Sequence, residues 1–123
     1  MTPEFEPIFA RLRSILEPYA GRLKVEADAR DHYCLAVAFS PKLKKGFPVA
    51  WVKVGKAYVS YHFMPVYMFA KLREGMSPKL KARMQGKSCF NFKVLDEEVF
   101  KELENLTAEG LAISKKEGFA PEG

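Results

Sequence analysis

The sequence predicts an α+β domain, an antiparallel sheet of about five strands with its N- and C-terminal helices packed on one face and one or two short helices between the last strands. Three observations carry that prediction. Apolar residues recur at helical spacing near the two ends of the chain. Alternation of period two fills residues 23–63 and returns at 89–94. Pro, Gly and Ser separate these runs.

At 123 residues the chain fits one domain, large enough to bury roughly two-thirds of its unfolded surface without metal or disulfide support. With 48% hydrophobic and 28% charged residues the composition is globular rather than disordered. No repeat, low-complexity run or linker divides it, so residues 1–123 read as a single domain whose last six to eight residues fray. Acids and arginines interrupt the N-terminal apolar residues, unlike the apolar core of a signal peptide, and no run approaches a membrane span. Two cysteines, Cys34 and Cys89, are too few for a disulfide scaffold, so a reduced, cytoplasmic setting is expected.

Phe5, Ile8, Phe9, Leu12, Ile15, Leu16 and Tyr19 share one helical face, which predicts a helix over residues 4–18, started by Thr2-Pro3 and closed before Gly21. LKVEAD at 23–28 alternates as a strand. In YCLAVAFS at 33–40, Tyr33, Leu35, Val37 and Phe39 fall on one face, and Cys34, Ala36, Ala38 and Ser40 on the other. PKLKKGFP reads as a basic loop. PVAWVKV and AYVSYHF then form a hairpin through a two-residue turn, Gly55-Lys56. Residues 66–76 read as a short helix. Ser77 and Pro78 occupy the N-cap and first position of the next one, with Gly86 as its left-handed terminator. CFNFKV at 89–94 turns Phe90, Phe92 and Val94 inward. Asp96 caps a final helix with Val99, Phe100, Leu103, Leu106 and Leu111 on its apolar face, weakened at its centre by Gly110. The expected core is Phe9, Leu12, Val59, Tyr61, Phe90, Phe92, Phe100 and Leu103.

Charge is unevenly spread. Residues 42–93 hold twelve Lys or Arg and one acid, Glu74, or +11; the remainder holds eight basic and fourteen acidic residues, or −6. The middle of the chain therefore suits an anionic partner, unless its charges only solvate a surface.

Several chemistries can be weighed on spacing. The Gly-Lys-Ser of MQGKSCFNFK lacks the first glycine of a phosphate-binding loop, since Lys81 stands there, and it lies before a strand instead of between strand and helix. His32, Cys34, His62 and Cys89 show no local zinc-motif spacing. Nucleophilic catalysis would need Cys89 or Ser88 beside His62, which strand pairing could supply. Single-stranded nucleic acid would need aromatics such as Tyr58, His62, Tyr67 and Trp51 exposed among the lysines; most of them are expected in the core, so nucleic acid is possible but not favoured. The outer sheet face remains. Cys34, Ala36, Ala38, Tyr58, Ser60, His62, Asn91 and Lys93 point away from the terminal helices, making either a shallow cleft or a floor roofed by the helices of residues 64–84.

LRSILEPYA, VGKAYVSYHFMP and GKSCFNF before an acidic C-terminal helix resemble the YdhG-like domain family, bacterial proteins carrying a domain of unknown function, over residues 5–112. That family is similar in fold to frataxin, two helices on one face of an antiparallel sheet, and some members are implicated in intracellular iron delivery. The resemblance implies the fold. It carries no iron ligands here, because the first helix offers only Glu4, Glu6 and Glu17 and the sheet region is basic.

The sequence thus points to a non-enzymatic binding module for a small anionic or aromatic ligand or a partner protein, acting through its exposed sheet face as a monomer or homodimer, with no cofactor implied. The candidate binding residues are Tyr58, Ser60, His62, Lys87, Ser88, Asn91 and Lys93, with Lys81 and Arg83; the likeliest polyanion contacts are Lys79, Lys81, Arg83 and Lys87. An iron chaperone, and a small enzyme using His62 with Cys89 or Ser88, are the alternatives.

Overall fold

The computed structural model describes residues 4–120. Helix α1 (Phe5–Leu16) and a 3-10 turn (Glu17–Tyr19) lead into β1 (Lys24–Ala29), β2 (His32–Ser40), β3 (Lys45–Val54) and β4 (Val59–Phe63). Three short helices follow, α2 (Met64–Met68), α3 (Ala70–Glu74) and α4 (Pro78–Lys81). The chain ends with β5 (Met84–Gln85), β6 (Cys89–Phe92) and the long helix α5 (Glu97–Lys116). The strands form one antiparallel sheet in the order β1-β2-β3-β4-β6-β5. The fold is α+β, as the periodicities require, with six strands.

Both terminal helices lie on one face of the sheet. Phe100 of α5 meets Phe92 edge-on at 5.0 Å between ring centroids, and Thr107 shares a 2.5 Å hydrogen bond with the Tyr61 hydroxyl. Arg11 of α1 donates from Nε to Glu97 and from Nη2 to Glu104, joining the two helices at the solvent edge. All eight residues expected in the core are buried. The N-cap of α4 is Ser77, whose Oγ accepts from the Leu80 amide and donates to Glu102; Asp96 caps α5 by accepting from the Val99 amide. The proposed start of α1 at Thr2-Pro3 lies outside the described residues.

Gly110 has a reason to be in α5. A Cβ there would come within 2.4 Å of the buried Phe63 ring and 3.1 Å of Pro65, so its absence lets the helix sit down on the sheet.

The sequence expectations fail where register or a break intervenes. Phe39, expected inward, is 53% exposed, because the β2–β3 register shifts between Val37 and Ser40 and turns Ser40 inward instead. The loop expected at PKLKKGFP, residues 41–48, is shorter than that, since β3 already begins at Lys45. Val94 lies beyond β6 and is 58% exposed. The helix over 66–76 is two helices, broken at Phe69, which takes an extended conformation. Gly86 is left-handed (φ 78°), but it turns the chain between β5 and β6, since α4 has already ended at Lys81. The C-terminal turn is docked as far as Ala120: the Phe119 ring meets Phe69 edge-on at 5.7 Å, and the Lys42 amide donates to the Gly118 carbonyl.

Candidate functional site

The helices α2, α3 and α4 do not roof the outer sheet face. They pack beside α5: Ser77 and Lys79 bond to Glu102 and Glu98 of that helix, and Pro65 lies against Gly110. Among the described residues the face opposite α1 and α5 therefore has no helical roof, although Cys34, Ala36 and Ser60 on it are buried, and strand pairing sets its side chains in rows.

One row runs Cys34, Trp51, His62, Cys89 and Gln85 across β2, β3, β4, β6 and β5. A second runs His32, Lys53, Ser60 and Asn91. Within the first row the Trp51 and His62 rings stack, with centroids 4.6 Å apart and planes 12° from parallel. Both rings are half-buried by this contact and by their neighbours. Their pairing follows from the β3–β4 hairpin, whose connection is residues 55–58 rather than the expected two. The Gly55 amide donates to the Tyr58 carbonyl to close it. The longer loop slides β4 by two residues, so the faces are kept and Trp51 opposes His62 instead of Ser60.

The polar groups beside this stack are connected. Cys89 Sγ lies 3.5 Å from His62 Nε2 and 3.3 Å from Asn91 Oδ1, and Ser60 Oγ donates to the same Asn91 oxygen at 2.9 Å. Burial lowers the His62 pKa below its ordinary value, and positive charge from His32 and Lys53 lowers it further. Burial pushes the Cys89 thiol up, with a smaller opposing effect from Ser60. The thiol is thus held neutral. Asn91 engages the sulfur rather than orienting the imidazole, so this is not the geometry of an activated thiolate.

Of the residues singled out from sequence, Ser60, His62 and Asn91 come together on the open face. Tyr58 belongs to the hairpin loop, outside β4, and Lys93 follows the end of β6. Ser88 sits in the β5–β6 turn, its carbonyl accepting from the Phe63 amide at 2.8 Å. Lys81, Arg83 and Lys87 are exposed near α4 and that turn, with Lys87 Nζ 5.9 Å from the centroid of Tyr67. Lys79 is paired with Glu98 at 2.9 Å. A shallow depression of about 520 Å³ beside them is lined by Ala70, Arg73, Glu74, Met76, Lys81 and Met84 and does not reach the sheet face. The basic residues therefore split between two surfaces.

Trp51 and Lys53 are among the members of these rows that the sequence-derived binding set lacked. Alternation along β3 places both opposite the buried Ala50 and Val52, which is the signal that identifies them. Among the described residues no three His, Cys, Asp or Glu side chains converge as a metal site, and no helix is long and apolar enough to cross a membrane. No protein-family model matches the chain, and neither a curated protein nor a solved structure matches it.

Proposed function

We propose that the protein is a non-catalytic binding module that docks a partner protein on its open sheet face. The observation that carries this reading is the Trp51–His62 stack at the middle of the sheet face opposite α1 and α5. Small-molecule sites are concave, whereas an open sheet presents an extended surface. A half-buried tryptophan ringed by polar side chains is the kind of residue that dominates protein–protein binding energy. Lys53 at its side favours a partner with a carboxylate next to an apolar or aromatic residue. The likeness to the YdhG-like family supports a helix-covered sheet, and the iron-delivery role of some members finds no carboxylate cluster among the described residues to serve it.

The Cys89–His62 contact favours a second reading, a small thiol-dependent enzyme. The raised thiol pKa and the engagement of Asn91 with the sulfur weigh against it.

Photo-crosslinking tests the proposal. A benzophenone side chain in place of Lys53, on the open face, is compared with one in place of the exposed Lys101 of α5. Position 53 is expected to yield a discrete adduct in cell extract that excess unmodified protein competes away. Adducts only from position 101 would move the docking surface to the helical side and end this proposal.

A further inference from the structure

Basic side chains gather on one side of the Trp51 ring. Strand pairing sets His32 of β2 opposite Lys53 of β3, two residues along from Trp51 on the same face, and places Lys53 diagonally across from His62 of β4. Their charges reach one another: after burial, His32 and Lys53 are what hold His62 neutral. Among the described residues none of the three forms an ion pair. The other titratable side chains of these rows are Cys34 and Cys89, thiols that burial keeps protonated. Glu26, in the irregular stretch of β1, acts on Cys34 and pairs with none of the cations.

The hydrogen bonds here leave donors to spare. Cys89 donates its S–H to Asn91 Oδ1, so its sulfur accepts from His62 Nε2, and Nδ1 is the nitrogen left to gain a proton. Ser60 donates to the same Asn91 oxygen, which leaves the Asn91 amide nitrogen without a partner among the described residues. No buried side-chain nitrogen or oxygen there lacks a partner, so the Asn91 nitrogen and His62 Nδ1 reach the surface. Cations and N–H groups with no acid among them are complementary to an anion.

We propose that His32, Lys53, His62 and the Asn91 amide form a carboxylate-receiving site beside Trp51, and that the docking partner presents an extended segment with Asp or Glu two residues from an aromatic side chain. The proposal rests on partner docking at this face and specifies what the partner brings to it. Alternate residues of a strand lie about 7 Å apart, so the spacing of Trp51 and Lys53 matches that of residues i and i+2 in an extended peptide. The aromatic ring covers Trp51, and the carboxylate bonds to Lys53 and the Asn91 N–H groups. Phosphate is held by clustered arginines, and no arginine stands in these rows. As pH falls, His62 Nδ1 takes a proton from solvent. The imidazolium keeps its Nε2 contact with Cys89 and its place on the Trp51 ring, and its Nδ1–H becomes one more charged donor to the carboxylate. A bound carboxylate favours the imidazolium, so docking takes up a proton and affinity rises as pH falls.

Trp51, the one tryptophan of the chain, reports the site by its fluorescence. The probes are acetyl-Phe-Ala-Asp-amide and acetyl-Phe-Ala-Asn-amide, titrated into the purified protein at pH 7.5 and pH 5.5, both above the ordinary Asp value of about 3.9. The Asp peptide should bind at least about tenfold tighter than the Asn peptide at pH 5.5, and should itself gain at least about threefold between pH 7.5 and pH 5.5. Lys53→Met, at an exposed position, should remove most of the preference for Asp, and His62→Gln should remove the gain at low pH. The wild type alone decides the matter without relying on any variant to fold. No saturable change with the Asp peptide, equal binding of the two peptides, or an Asp-peptide affinity that does not rise at pH 5.5 would each overturn the assignment. Partner docking fails on different evidence, adducts from the helical side only, so equal binding of the peptides with a competed adduct at position 53 would refute the carboxylate site alone.

Discussion

Trp51 and His62 face each other across β3 and β4 with their rings 4.6 Å apart and nearly parallel, on the side of the sheet that α1 and α5 leave open. The contact ties the conformation of an exposed surface to a titratable group, and its consequences can be measured.

The first concerns pH. Burial depresses the His62 pKa in the folded state, so the unfolded chain, with an ordinary value of about 6.5, takes up the proton first as pH falls. Stability from this residue is therefore complete above about pH 6.5 and declines as pH drops from there toward the folded value. Urea unfolding at pH 8 and pH 5.5 should show wild type losing stability at the lower pH, and His62→Gln losing less. An equal loss in both would show that His62 is not the group responsible.

Gly110 provides a test of sign. In an exposed helix Gly→Ala stabilises by about 1 kcal/mol. Here the new methyl would press on the Phe63 ring and Pro65, and overpacking costs about 1–3 kcal/mol. Gly110→Ala should lower the melting temperature; a rise would mean that α5 can move away from β4 at little cost.

Phe92 is buried between the sheet and α5, with its ring against Phe100. Phe92→Ala should cost about 3–5 kcal/mol in denaturant unfolding. A loss below about 1 kcal/mol would contradict the packing described.

How far the sequence reveals this molecule depends on the link in question. Period-two alternation placed Val59, Tyr61, Phe90 and Phe92 in the core, and the capping residues Ser77 and Asp96 marked two helix starts. Alternation also put Ser60, His62 and Asn91 on one face. It could not say which residue stands opposite which, because that depends on hairpin loop length, and a loop of four residues instead of two moves the partner while preserving the face. The Trp51–His62 stack and the Cys89–His62 contact are therefore visible only in the structure. Phe39 was misplaced for the same reason: a register shift inside β2 breaks the alternation that the sequence shows.

The basic segment should prove a solvated surface. Lys81 and Arg83 are exposed, and Lys79 is already paired with Glu98. Tyr58 and Tyr67 are the exposed tyrosine rings of this segment among the described residues, and Tyr67 lies by Lys87, whereas strand-binding surfaces stack several bases in succession. Lys81→Glu with Arg83→Glu should leave stability within about 0.5 kcal/mol of wild type. Neither protein should retard single-stranded DNA at physiological ionic strength. Retardation by wild type and not by the double variant would establish a nucleic-acid surface there.

The most direct test of the central claim, that the open sheet face is the working surface, is the affinity of a crosslinked and purified partner for wild type and for Trp51→Ala. Trp51 is the one tryptophan of the chain, so its fluorescence reports binding to wild type at the face itself, and calorimetry gives both affinities. Loss of a central aromatic anchor costs at least about 2 kcal/mol, or roughly 30-fold in affinity. A weakening of that size in a Trp51→Ala protein that melts as wild type does is the predicted result. Equal affinity for the two proteins would contradict the account.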